Sequence, residues 1–144
     1  MKQRFDIQEL EPKAYELVIG LESYLHKADL NKAHLELIKI RASQINGCAF
    51  CINMHTKDAL RNGETNQRIF LLNAWKETQL FTPEEKVILA MTEEITLINQ
   101  KGLSDETYEA AKLYFTDHYI AQIILAISTI NVWNRIAISS RKDV

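Results

Sequence analysis

The sequence predicts an all-α fold in one domain spanning residues 1–144, and three observations lead there. Helix breakers are scarce, with four glycines and two prolines in 144 residues. They fall between segments whose apolar residues recur at helical spacing. Capping residues stand at the start of most of those segments. Apolar residues make up 47% and charged residues 25% of the chain, enough for a real core.

The elements follow in order, six or seven in all. Pro12 suits a first helical turn, and a helix runs from it to about Ala28. Asp29 or Asn31 caps the second, which carries Leu35, Ile38, Ala42 and Ile45 at helical spacing and is broken by Asn46-Gly47. The third begins near Cys48 and ends at Asn62-Gly63. A shorter helix spans Thr65 to about Lys76. Thr82-Pro83-Glu84-Glu85 combines an N-cap, a first-turn proline and a glutamate at the third position, and starts a helix to about Asn99. Ser104 opens another, ending near Phe115. Thr116 or Asp117 caps the last, to about Ser139. That helix is apolar nearly all round, which predicts burial on most faces, either as a central core helix or against another subunit.

Charge and composition exclude some functions. The net charge is −2 and no basic stripe is interleaved with aromatics, so no nucleic-acid partner is expected. The segment Tyr119–Ile138 has the length of a membrane span, yet holds Gln122, Asn131, Asn134 and Arg135, which argues against a membrane role. Asn131, Asn134 and Arg135 are expected to be paired. The first residues show no apolar run behind their charges, so a cytoplasmic address is the default.

In that compartment a lone pair of cysteines points to redox chemistry or metal binding. Cys48 and Cys51 sit three apart at a helix start, where roughly 5–6 Å between Cα atoms permits a disulfide. The helix N-terminus favours a thiolate. His55 lies one turn past Cys51 on the same face and can take its proton. If the helices on either side of Gly47 form an antiparallel hairpin, Glu36 comes within reach of His55 and can orient its ring. The chemistry alone leaves open which thiol attacks: the helix end favours Cys48, the histidine favours Cys51. Zinc is the competing reading, although the four groups lack the usual two separated ligand pairs. Lys39 and Arg41 look exposed. His26, His34 and His118 lack partners at ligand spacing, and His26 and His34 read as surface residues. Tyr15, Tyr24, Trp75 and Trp133 read as core or interface aromatics.

Glu36-x11-Cys48-x2-Cys51-x3-His55 resembles the signature of the alkylhydroperoxidase D-like group in the carboxymuconolactone decarboxylase superfamily. Leu37–Gly47 and Thr129–Arg135 are similar to that group as well, and the likeness runs from about Leu30 to Arg135. It implies an all-α fold assembled as trimers or hexamers, with thiol peroxidase activity on hydrogen peroxide or organic hydroperoxides. It assigns Cys51 as the attacked residue, Cys48 as the resolving one, and His55 and Glu36 as the proton relay. It implies no bound cofactor and no metal. An external dithiol, dihydrolipoamide or a thioredoxin-like protein, would reduce the disulfide. Phe50 stands where the founding enzyme has a further relay histidine, which implies slower or differently directed turnover. A lyase acting on a small lactone acid is the rival enzyme reading, and it needs cations in the pocket. A redox sensor or a structural zinc protein is the non-enzymatic one.

Overall fold

The computed structural model describes residues 2–144. Among these it contains eight α-helices, one 3₁₀ segment and no strand: α1 Ile7–Leu10, α2 Pro12–Lys27, α3 Lys32–Asn46, α4 Ala49–Arg61, α5 Asn66–Leu71 leading into a 3₁₀ turn Leu72–Glu77, α6 Pro83–Thr96, α7 Asp105–Lys112 and α8 Asp117–Ser140. The fold class is the one expected.

The local signals account for most boundaries. Asn31 caps α3, its side chain accepting from Ala33 N. Thr82 and Glu85 close a reciprocal capping box on α6. Ser104 and Thr116 cap α7 and α8. The differences are local. α1 adds a helix that a four-residue segment cannot announce by periodicity; Asp6 caps it through Gln8 N. The Thr65–Lys76 helix is interrupted after Leu71, with Ala74 at φ −114°. α6 and α7 stop about three residues early, in turns that precede Gly102 and Thr116.

α3 is the centre of the bundle, packing against α4, α6 and α8. Leu35, Ile38 and Ala42 on one face join a core with Ile88, Met91, Ile123, Ile127 and Ile130. Leu37 and Ile40 on a second face join Ala59, Leu72, Trp75, Phe81 and Leu89. The third face carries Glu36, Lys39, Ser43 and Asn46, spaced 3, 4 and 3, and is polar. Of these, Glu36, Lys39 and Ser43 are buried.

Gly47 turns the chain at the end of α3 in a left-handed conformation, φ 71°, which a side chain would strain. Cys48 N then donates to Ser43 O at 3.0 Å. α4 returns antiparallel along α3. α8 is long and apolar enough to cross a membrane by length and composition alone. In the bundle one face packs on α3, while Ile124, Leu125, Val132 and Ile138 stay 36–44% exposed. Its burial is therefore less complete than its composition suggests. Asn131, Asn134 and Arg135 are paired as anticipated: Asn134 Nδ2 donates to Ser43 Oγ at 3.0 Å, and Asn46 Nδ2 donates to Asn134 Oδ1 at 2.8 Å and to Asn131 Oδ1 at 3.0 Å. Arg135 donates to Asn131 Oδ1 at 2.8 Å.

Candidate active site

The turn at Gly47 delivers Cys48 to the N-cap of α4, in extended conformation, rather than to its first turn. Its Sγ accepts from Cys51 N at 3.3 Å. The two cysteines are joined as a disulfide, with 5.3 Å between Cα atoms. Both are buried, but not equivalently: Cys51 lines a cavity of about 390 Å³, and Cys48 is not among its walls.

One turn further along α4, His55 lines the same cavity. Its Nδ1 lies 3.2 Å from Glu36 Oε2, and both residues are only 5% exposed. An ionised Glu36 can only accept, so the proton between them belongs to Nδ1–H. That leaves the Nε2 lone pair free, with no protein partner among the described residues. The hairpin register thus brings together Glu36, His55 and Cys51, three of the four residues singled out, with Cys48 directly behind. Among the described residues no three or more His, Cys, Asp or Glu groups are arranged to hold a metal ion.

The rest of the wall corrects the sequence reading. Lys39 is not exposed but 1% exposed, and lines the cavity. It is drawn inward by Glu22 on α2, with which it forms an ion pair. Glu22 also accepts from Trp133 Nε1 at 3.2 Å and lies 3.2 Å from His26 Nε2. Burial alone would raise the Glu22 carboxyl; the Lys39 ammonium outweighs it by charge and hydrogen bond, with help from His26 and His55, and holds it below the usual carboxylate value. Arg41 is half-buried on Glu93, at 2.9 Å.

Trp133 packs on the main core as expected and also forms a cavity wall with Tyr15, edge to face at 5.1 Å. Tyr24 is exposed. Phe50 also lines the cavity, and Lys142 Nζ lies 4.8 Å from its ring centre. His34 is not on the surface: it is half-buried and hydrogen-bonded to Tyr119 OH at 2.8 Å. Burial pushes it below the ordinary histidine value. Sequence reasoning missed Glu22, whose spacing signals nothing before α2 is laid on α3.

The family model described as "Carboxymuconolactone decarboxylase family" matches residues 12–94, more than half of the chain and the whole Glu36–His55 stretch. The chain belongs to the carboxymuconolactone decarboxylase family. Within and around that family, the uncharacterised protein YdfG of Bacillus subtilis (strain 168) is 44% identical over 139 residues, covering 96% of this chain and 95% of its own. A crystal structure from Agrobacterium tumefaciens, of a protein of unknown function proposed there as the antioxidant defence protein AhpD, is 37% identical with a TM-score of 0.96, covering 99% of this chain and 97% of that one. An alkylhydroperoxidase AhpD core, an uncharacterised peroxidase-related protein from Ralstonia eutropha JMP134, shares the fold at a TM-score of 0.83 with 16% identity, covering 94% of this chain and 73% of that one. The family includes enzymes of more than one chemistry, so membership leaves the reaction to be argued from the site.

Proposed function

We propose that this protein is a thiol-dependent peroxidase that reduces hydrogen peroxide or small organic hydroperoxides through a Cys48–Cys51 disulfide cycle. The observation that carries the reading is the meeting of Cys51, His55 and Glu36 on one cavity wall with Cys48 at bonding distance behind. In the reduced protein His55 Nε2 takes the Cys51 proton, with Glu36 fixing the ring through Nδ1. The Cys51 thiolate attacks the terminal peroxide oxygen and the O–O bond breaks. The alcohol, or water, leaves with the proton held on His55, and Cys51 becomes a sulfenic acid. The Cys48 thiol then attacks Cys51 Sγ, expels water and forms the disulfide. An external dithiol returns two electrons and two protons. The cavity opening on Cys51 rather than Cys48 supports Cys51 as the attacked residue. A homo-oligomer in the cytoplasm fits this reading, with the exposed stripe on α8 as a candidate contact.

Stopped-flow peroxide consumption with a dithiol donor tests the activity; a rate no higher than that of free thiol would remove it. The Cys48→Ser variant treated with peroxide should carry a sulfenic acid on Cys51 by mass spectrometry.

The lyase reading gains one observation, since buried Lys39 supplies the cation it lacked. Glu22 neutralises that cation, however, and leaves little net attraction for an acid substrate. Retention of a lyase activity in the Cys48→Ser/Cys51→Ser double variant would favour it.

A further inference from the structure

Lys39 is the one charged residue among the fully buried side chains of the described chain. A buried ion pair is a poor way to fasten two helices, because apolar side chains of similar size hold them at least as well. Its placement suggests another purpose. Lys39 and His55 are each eight residues from Gly47 on the two arms of the α3–α4 hairpin, and both line the cavity. Cys51 is one turn from His55 on the side toward the Gly47 turn. Lys39, Glu22 and Cys51 share the cavity.

The charges around Cys51 make that placement matter. α3 contributes Glu36 and Lys39; α4 contributes His55 and Asp58; α2 contributes Glu22 and His26. Asp6 comes from the N-terminal segment, and Lys142 comes from the tail beyond α8, over the Phe50 ring. Four carboxylates therefore surround the cavity against two lysines, and Lys39 is the one rooted in the helices. A thiolate forming on Cys51 would meet a net negative field without it.

We propose that the Lys39–Glu22 pair is an electrostatic positioning device for Cys51, in which Lys39 supplies the positive charge that favours the thiolate and Glu22 limits it. Glu22 is itself held by Trp133 Nε1 and His26 Nε2, so the balance is fixed by geometry. Trp133 also ties the device to the cavity wall where a ligand would sit.

The inference rests on Cys51 being the reactive thiol, and the test separates the two. In a Cys48→Ser background Cys51 is the sole thiol of the chain. Its alkylation by iodoacetamide, measured against pH, reads the thiolate directly, whatever the oxidant. Lys39→Met should move the midpoint up and Glu22→Gln should move it down, each by roughly one pH unit. One unit is about tenfold in alkylation rate below the midpoint. Lys39→Arg should restore the parent profile. A helix clamp predicts that both variants shift the same way, since both break it. Shifts of one sign, or no shift in either variant, overturn the proposal. Failure of the parent protein to consume peroxide would overturn only the peroxidase reading.

Discussion

Replacing Glu36 with glutamine changes one charge and almost no volume, at a site where both partners are 5% exposed. The Glu36–His55 contact, 3.2 Å from Oε2 to Nδ1, is a charge-assisted hydrogen bond when the glutamate is ionised. Such bonds contribute about 1.5–3 kcal/mol net, against about 0.5–1.5 for a neutral pair. The loss is therefore about 1–2 kcal/mol, felt when His55 becomes cationic on taking the thiol proton. At about 1.4 kcal/mol per decade this slows Cys51 oxidation roughly 5- to 30-fold. It is a lower bound, because the glutamine amide can also donate to Nδ1. The ring proton would then move to Nε2 and occupy the lone pair that has to take the thiol proton. The assay is the second-order rate of thiol loss when reduced protein meets excess peroxide at pH 7. The urea midpoint of the same preparation controls for folding. A Glu36→Gln rate within twofold of the parent, at an unchanged midpoint, would show that Glu36 does not assist His55.

Asn134→Ala removes a fully buried side chain that accepts from Asn46 and donates to Ser43, leaving Asn46–Asn131 as the remaining polar contact of this cluster between α3 and α8. The cost should be about 2–3 kcal/mol, read as a lower urea midpoint at constant slope. Stability should also fall with pH in two windows. His34, held neutral by burial below its unfolded value of 6.5, contributes stability that is present above that pH and lost below it. Glu22 and Glu93 are held below the ordinary 4.5, since charged and hydrogen-bonding partners outweigh burial, so their contribution is present above 4.5 and lost as pH falls through the folded values. Thermal melts from pH 8 to 3.5 should show both declines, and His34→Gln should abolish the upper one.

Helix boundaries were legible where a side chain caps a segment long enough to show a helical period, because capping is settled within four residues. Thr82–Glu85, Ser104, Thr116 and Asn31 are cases in point. α1 and the 3₁₀ turn after Leu71 were not, because neither is long enough to show a period. The site was legible to the extent that it is local. Cys48, Cys51 and His55 lie within eight residues, and Glu36 enters through the symmetry of one hairpin. Glu22 and Trp133 reach the same cavity from helices whose orientation no local signal sets.

Lys39 shows why a buried charge is hard to read from one helix. A lysine four residues before Ser43 is by default a solvated residue, and so is Glu36 between two leucines. The default fails because α3 already has two apolar faces, Leu35–Ile38–Ala42 and Leu37–Ile40, each committed to a different core. A helix with two buried faces has little solvent left for the third, so a polar third face is forced to find partners inside. Glu36 takes His55, Lys39 takes Glu22, Ser43 and Asn46 take Asn134. The same reasoning constrains variants. An apolar residue at 39 would suit the packing but leave Glu22 without its cation, so the pH dependence of stability and the titration of Cys51 should both register the loss of the charge.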